Sequence, residues 1–223
     1  MAKPYFGQVP NFEYANRTDD GKNISDFTKV KNLFKRGKLR EDIFQDTTFF
    51  NKYQIEGDDR PDNVAFNVYE DETLDWVVLL SNNITNIQTE WPLNQQSFYN
   101  FLIDKYGSEE AIHGIHHYET TEVRNTDKTI IVPKGLKVPQ HYSIEFYDAR
   151  LSSYTTASNI TTEITNYTYE NKIEENKRNI YILKPAYLNV ILNDMEESML
   201  YKEGSTQYLS ETLVRGENIR LYS

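Results

Sequence analysis

The apolar and polar positions between Tyr53 and Asn83 predict a compact module. Tyr53 and Ile55 are spaced for one face of a strand, and Gly57-Asp58-Asp59 predicts the turn that follows. Pro61 suits the first turn of a helix, because the N–H that proline lacks would have no partner there. We expect Asp58 or Asp59 to accept hydrogen bonds from the first amides of this helix.

Two short helices are predicted after this turn, and an Asn-rich stretch follows them. The second helix begins after Glu70-Asp71-Glu72, where the helix dipole favours negative charge. The positions predicted to face the core are Val64, Ala65, Val68, Leu74, Trp76, Val77 and Val78. The module therefore reads as a strand, an acidic turn and two helices.

The chain before this module is less regular. Residues 1–25 have no apolar stripe and are predicted to be an extended arm that gains order against a partner. Ser25-Asp26 is placed to cap a helix over Phe27–Phe34, and Asp42–Tyr53 alternates as a strand. Beyond the module, a helix over Leu93–Tyr106 is predicted to end at Gly107.

From Ala111 the apolar spacing becomes that of strands. Ile115–Val123 and Thr129–Val132 predict a β-hairpin, with Tyr142–Tyr147 as a third strand. Residues 151–165 are rich in Ser, Thr and Asn and are predicted to be a linker or soft turn. The remaining predictions are a helix over Thr165–Lys177, a strand over Asn179–Leu183 and a last helix that begins at Pro185.

The net charge of the chain limits the classes of partner that it can bind. The chain has 223 residues, enough for one or two small domains, and a net charge of -10. An acidic chain neutralises a phosphate backbone poorly, so we expect no nucleic-acid partner. The one dense basic run, Lys29–Arg40, is interleaved with Val30, Leu33, Phe34 and Leu39. This run indicates a short amphipathic arm that contacts an acidic partner.

The lack of cysteine and the hydropathy of the chain exclude several kinds of chemical site and several classes of protein. The chain has no cysteine, so it has no disulfide, thiolate metal site or cysteine nucleophile. The strongly apolar run Trp76–Leu80 is far too short to span a membrane. The first residues lack the apolar stretch of a signal peptide. We expect a soluble protein without a membrane partner.

The histidines and the carboxylates are the candidate groups for a catalytic or metal site. His113 and His117 have the spacing of a helical zinc pair, but Gly114 interrupts the helix, and His116 and His117 would point to opposite faces of a strand. The carboxylates around Asp58 and Glu70 occupy turns and helix starts, where capping explains them. No nucleophile elbow, P-loop or dinucleotide motif is present. We therefore assign no catalytic, cofactor or metal residue.

The module resembles a lysin motif, which has a βααβ fold. The residues that carry this likeness are Tyr53-Gln-Ile-Glu-Gly57-Asp58-Asp59, then Val64-Ala65 and Tyr69, then Leu79-Leu80-Ser-Asn82-Asn83. The expected fold class is α+β, with four segments in series. They are an extended N-terminal arm with a short helix (1–45), the lysin-motif-like module (46–107), a β-hairpin or three-stranded insertion (108–150), and C-terminal helices with a tail (151–223).

A longer pattern resembles the small baseplate wedge protein of T-even-like contractile-tailed bacteriophages. It includes Phe49-Phe50-Asn-Lys-Tyr53, Arg60-Pro61-Asp62, Trp91-Pro92-Leu93, His116-His117-Tyr118-Glu119-Thr120 and Lys177-Arg178-Asn-Ile180 to Tyr187. Together these cover residues 49 to about 200. Two positions depart from the pattern, because Glu70 stands where a glycine is expected and Asp75 where an aromatic residue is expected.

This resemblance implies a structural, non-catalytic subunit that joins neighbouring wedges around the central hub of the baseplate. Its implied partners are the core-bundle and tube-proximal wedge proteins and the hub, with six copies per baseplate. The implied location is the virion tail, after assembly in the host cytoplasm. Two alternatives remain open: a peptidoglycan-binding lysin-motif module, and a tail-associated muralytic enzyme, which the lack of an acid/base pair disfavours.

Partner contacts are expected from exposed aromatic and apolar side chains. The candidates are Tyr5, Phe6, Phe12 and Tyr14 in the arm, Trp76, Trp91, and Tyr187, Ile191 and Met195 on the last helix. Packing in the core is an alternative for Trp76. Deletion of residues 1–25 is expected to abolish assembly and to leave the melting curve nearly unchanged.

Overall fold

The computed structural model describes residues 4–17, 24–204 and 207–216, and its fold is mixed α+β, as predicted. Backbone contacts divide the chain into two compact units. Unit 1 takes the chain up to Trp91 and again from Asn179 onward, whereas unit 2 takes Pro92–Arg178. The division into four segments stays a prediction.

The first part of unit 1 combines strands with short helices. Its strands are β1 (Asn11–Arg17), β2 (Ile24–Lys31) and β3 (Phe50–Gln54). Its helices are α1 (Tyr5–Gln8), α2 (Glu41–Gln45), α3 (Pro61–Tyr69), α4 (Asp75–Ser81) and α5 (Ile87–Glu90). Single 3₁₀ turns over Thr47–Phe49 and Glu72–Leu74 precede β3 and α4.

Unit 2 is built from three small groups of antiparallel strands and from helices. The helices are α6 (Gln95–Tyr106), α7 (Glu109–Ile112) and α8 (Asn166–Lys177). The strands are β4 (Ile115–Thr120), β5 (Val123–Arg124), β6 (Ile130–Val132), β7 (Lys137–Val138), β8 (Ile144–Asp148), β9 (Ser153–Ala157) and β10 (Thr161–Thr165). They pair in the orders β10-β4-β7, β5-β6 and β8-β9.

The chain then returns to unit 1. Its last elements are β11 (Asn179–Leu183), a 3₁₀ turn over Pro185–Tyr187, α9 (Leu188–Met199), β12 (Tyr208–Ser210) and β13 (Leu213–Arg215). Strands β12, β13, β1 and β2 form one sheet in that order, with β1 parallel to β13 and antiparallel to β2. The two ends of the described chain therefore meet in one sheet.

A single hydrophobic cluster holds unit 1 together. The predicted core positions on α3 and α4 all belong to it, with Val68 partly buried. The other buried members are Val9, Leu39, Ile43, Ile55, Trp91, Ile180, Ile182, Leu183, Ile191, Met195 and Met199. The core of unit 1 therefore combines residues that precede unit 2 in the sequence with residues that follow it.

The predicted N-terminal arm is wrong for the residues that the structure describes. β1 pairs on both sides within the chain, and Val9 and Ala15 are buried. The predicted helix over Phe27–Phe34 is also wrong, because these residues up to Lys31 lie in β2. Phe12 faces Val30 across the β1–β2 pair, and such cross-strand apolar pairs override helix propensity. Deletion of residues 1–25 would therefore remove part of the core and of the sheet.

The module has the predicted order β3, α3, α4, and Pro61 is the first residue of α3. The predicted cap is wrong, since Arg60 occupies the N-cap position and no side chain caps the helix. The next element after Asn83 is the helix α5, not the strand that a βααβ unit requires. The strand that pairs with β3 is β11, antiparallel and with Ile180 opposite Tyr53. The likeness to a lysin motif stays a prediction.

Several other predictions change in detail. The predicted hairpin is confirmed only next to its turn, where Val123 pairs with Val132 in β5–β6. The rest of its predicted first strand is β4, which pairs with β10 and β7 instead, and the predicted third strand, β8, pairs with β9. Residues 151–165 are not a linker, because they contain β9 and β10, whose many β-branched threonines suit strands. The strand predicted over Asp42–Tyr53 begins only at Phe50, after α2. The helices α6, α8 and α9 and the strand β11 are confirmed.

Candidate interaction surface

The predicted N-terminal contact residues have different exposures. Phe6 is 61% exposed and Tyr14 is 48% exposed. Tyr5 is half-buried, and its hydroxyl accepts a hydrogen bond of 3.0 Å from the Gly37 amide. Phe12 is also half-buried, with its ring against Gly216. Phe6 and Tyr14 therefore present surface, whereas Tyr5 and Phe12 mainly support the fold.

Four further predicted contact residues lie inside the core of unit 1. Trp76, Trp91, Ile191 and Met195 are each at most 5% exposed. Tyr187 is 38% exposed and packs edge-on against Phe49, with 4.8 Å between ring centroids. Contacts of these residues with partners stay a prediction, but in this structure the four buried ones contribute to the core.

Phe34 is the most exposed aromatic side chain among the described residues, and it was not among the predicted contact residues. After β2 the chain turns through Leu33 and Phe34, which are 71% and 97% exposed. Within this turn, Lys35 N donates to Asn32 O (3.1 Å) and Phe34 N donates to Asn32 Oδ1 (3.1 Å). The Leu33–Phe34 turn thus holds two apolar side chains in solvent. The basic run marked this stretch, but its assignment to a helix concealed the turn.

Side chains on both sides of the Leu33–Phe34 turn fix it to the end of α9. Asn32 Nδ2 donates to the hydroxyl of Tyr201 (2.7 Å), and Lys35 Nζ donates to the carbonyl of Leu200 (2.7 Å). The Lys35 ammonium also lies 4.7 Å from the centroid of the Tyr201 ring. Burial, and secondly the charge of Lys202, lower the pKa of Lys35. The turn is therefore rigidly supported in a positively charged setting.

A groove of about 490 Å³ adjoins the basic run. Its lining combines cations with apolar side chains and one carboxylate, and consists of Arg36, Gly37, Lys38, Leu39, Glu41, Phe44, Gln45, Leu80 and Asn83. Glu41 Oε1 lies 3.2 Å from Lys38 Nζ, so Glu41 balances part of the positive charge of the groove. The groove is suited to bind an apolar side chain that has a negatively charged side chain next to it.

A second, acidic pocket of about 320 Å³ lies on α3. Asp59, Asp62 and Glu72 line it with Asn63, Asn67 and Phe66, and Phe66 is 57% exposed. Burial, partly offset by a hydrogen bond from the Trp76 amide, raises the pKa of nearby Asp75, and the charge of Asp62 adds to this rise. The acidic run was predicted to cap a helix start, and one of its residues does so. The Asp71 side chain accepts a hydrogen bond from Thr73 N (3.0 Å) at the start of the 3₁₀ turn.

In unit 2, the prediction that His116 and His117 point to opposite faces is wrong. Their Nδ1 atoms are 2.7 Å apart, and His116 stacks on Tyr169 with 4.0 Å between centroids. The register of β4 against β10 shifts at this point, and such a bulge re-aims neighbouring side chains. His117 Nε2 lies 3.2 Å from Glu119 Oε1. Desolvation, and secondly the charge of His117, lower the pKa of His116.

Two buried carboxylates of α8 hold unit 2 together. Glu170 Oε1 accepts from Lys105 Nζ (2.7 Å) and from the Tyr106 hydroxyl (2.8 Å). Burial, and secondly the bond to Glu170, raise the pKa of Tyr106 to about 12. Glu174 accepts from the Leu93 amide (3.0 Å). Both carboxylates therefore have structural partners on the first part of unit 2.

Neither metal clusters nor membrane helices emerge from the described part of the chain. Within residues 4–17, 24–204 and 207–216, no group of three or more His, Cys, Asp or Glu side chains is arranged to hold a metal ion. No described helix is long and apolar enough to cross a bilayer.

Exposed apolar side chains on supported segments are common in proteins that contact other subunits. A comparison with family models matches residues 5–197 to base plate wedge protein 53, and the chain belongs to this family. It is thus a structural protein of the phage baseplate and a component of the virion tail, and it interacts with other baseplate proteins. A search of curated proteins finds no match.

Proposed function

We propose that this subunit joins neighbouring wedges around the central hub through protein–protein contacts and catalyses no reaction. The observation that carries the proposal is the match to the wedge family over residues 5–197. Its partners in this role are the core-bundle and tube-proximal wedge proteins and the hub. The copy number is six per baseplate, and assembly takes place in the host cytoplasm.

The distribution of exposed side chains in unit 1 supports this role. Phe6, Tyr14 and Phe34 are each about half exposed or more, although the chain has a core that accommodates other aromatic residues. Aromatic side chains bury large areas at low entropic cost and are enriched at protein interfaces. Such side chains on supported segments suit contacts with other subunits.

The setting of the ionisable groups supports a non-catalytic role. Glycosidic cleavage requires one carboxyl group in an apolar pocket and another across a cleft. Glu170 and Glu174 are buried but accept hydrogen bonds from Tyr106, Lys105 and the Leu93 amide. Their environment favours the role of structural acceptors.

Reconstitution tests the proposal directly. Wedges purified from an infection in which this subunit is not made would be mixed with the purified chain, and joined wedges counted by electron microscopy. We expect rings to form only with the chain, and quantitative mass spectrometry to give six copies per ring. Rings that form equally well without the chain would contradict the joining role.

The peptidoglycan-binding alternative is tested in parallel. The order β3, α3, α4, closed by β11, is the one feature that favours it. The purified chain would be sedimented with purified peptidoglycan. Retention on peptidoglycan together with failure to bind wedges would support the glycan-binding alternative over the joining role.

A further inference from the structure

We propose that the Leu33–Phe34 turn and the basic groove beside it dock an acidic protein segment that carries an apolar side chain. The segment belongs to another baseplate subunit. The inference rests on the proposed function and deepens it, because it specifies one contact surface of this subunit and the chemistry of its partner.

The Leu33–Phe34 turn has the exposure of a docking element. Phe34 is 97% exposed and Leu33 is 71% exposed, although both are large and apolar. Solvent exposure of two adjacent apolar side chains contributes nothing to the stability of this chain. Covering them with a partner surface removes apolar area from water at about 25 cal/mol per Å².

The support of the turn makes it pre-organised. The bonds from Asn32 and Lys35 to Tyr201 and Leu200 hold it at both sides. Behind it, Gly37 is buried against α9, where a Cβ atom would meet the Met195 side chain. Leu39 is also buried in the core. A segment that is already ordered loses little conformational entropy on binding.

Charge identifies the partner as acidic. Lys29–Arg40 contains six lysines and arginines and no carboxylate, in a chain whose net charge is -10. Lys38 and Arg40 have carboxylate partners nearby, whereas Lys31 and Lys35 donate to backbone carbonyls and have no carboxylate partner among the described residues. This local positive field attracts negative charge and disfavours basic partners.

The groove defines how the segment would lie. Its apolar walls, Leu39, Phe44 and Leu80, accept an apolar side chain, and Arg36 and Lys38 at its lining pair with carboxylates beside that side chain. Phe34 would rest on the apolar part of the partner surface. A nucleic acid is disfavoured because the rest of the chain repels phosphates. Interaction with other baseplate proteins makes a protein the occupant.

Site-specific crosslinking tests the identity of the partner. The photocrosslinking residue p-benzoylphenylalanine would replace Phe34 in one variant and Phe66, in the acidic pocket, in a control variant. In reconstituted baseplates we expect a crosslink from position 34, and not from position 66, to a peptide of another subunit that is rich in Asp and Glu and contains an apolar residue. A crosslink to a neutral or basic peptide, to nucleic acid or to a second copy of this chain would overturn the proposal.

A binding measurement separates this proposal from the joining role. Phe34→Ala should weaken the binding of the chain to purified wedges by about tenfold or more, the loss typical of a central aromatic contact. The matched variant Phe66→Ala should bind like the unmodified chain. Added salt should weaken binding of the unmodified chain and affect the double variant Arg36→Gln, Lys38→Gln less.

The two proposals fail in different ways. If the unmodified chain and Phe34→Ala bind wedges equally, the docking site is wrong and the joining role stands. If the unmodified chain does not bind wedges at all, the joining role is contradicted and the docking site with it. Because Phe34 is almost completely exposed, its replacement leaves the fold intact, which the melting curve verifies.

Discussion

Gly37 lies so close to Met195 that a Cβ atom on Gly37 would be 2.1 Å from the Met195 Cε atom. Gly37→Ala should therefore force the flexible end of the Met195 side chain to move within the core and lower the free energy of unfolding by about 1 kcal/mol. Urea denaturation measures this loss. In a Met195→Ala background the clash is absent, so the same substitution should cost little there. Equal losses in both backgrounds would contradict the contact.

Glu70 ends α3 in the left-handed conformation, with φ 58° and ψ 21°. This is the position where the family pattern led us to expect glycine, which adopts that conformation without steric cost. Glu70→Gly should raise the free energy of unfolding by about 0.5–1 kcal/mol. Glu70→Ala removes the same charge but keeps a Cβ atom, so it should not give this gain. A gain from both variants would assign the effect to charge.

A comparison of the two tryptophans measures how much one hydrogen bond contributes to the stability of the chain. Trp91 Nε1 donates to the Asp59 carbonyl (2.9 Å), whereas Trp76 Nε1 is buried with no acceptor among the described residues. The two rings are similarly buried. Trp91→Phe should therefore destabilise the chain by about 1 kcal/mol more than Trp76→Phe. Chemical denaturation of both variants checks the difference, and equal costs would argue against it.

The histidine pair predicts a pH dependence of the stability of unit 2. The pKa of His116 is lowered from its ordinary value of 6.5, first by desolvation and then by His117. The unfolded chain then binds more protons than the folded chain between these two values, so stability falls as the pH drops through 6.5 towards the lowered pKa. Hydrogen exchange of β4 across this range measures the loss.

Substitution of single histidines controls this experiment. His116→Asn should remove most of the pH dependence in this window, because it removes the group whose pKa is lowered. His141→Asn, outside the cluster, should leave it in place. A pH profile that His116→Asn does not change would assign the dependence to other groups.

The parts of the fold that sequence reasoning predicted are those with strong local signals. Pro61 marked the start of α3, and Gly107 marked the end of α6. In each case the signal lies within one helix. Local patterns of this kind need no knowledge of distant residues.

The missed features depend on residues far apart in sequence. β1 pairs in parallel with β13 near the end of the described residues, and β3 is completed by β11, more than a hundred residues later. The Leu33–Phe34 turn is fixed by Tyr201 and Leu200. The composition of Lys29–Arg40 indicated an acidic partner, but the exposure of Phe34 follows only from these distant contacts.

The sheet that joins both ends of the chain has a consequence for protein synthesis. β1 is synthesised well before its partner β13, which is among the last described residues to be made. The supports of the Leu33–Phe34 turn also come late, because Leu200 and Tyr201 lie beyond α9. Stalled chains that end before Leu200 should therefore fail to crosslink through position 34 to wedges. Incomplete translation products would then be kept out of the growing tail before they could block a place in it.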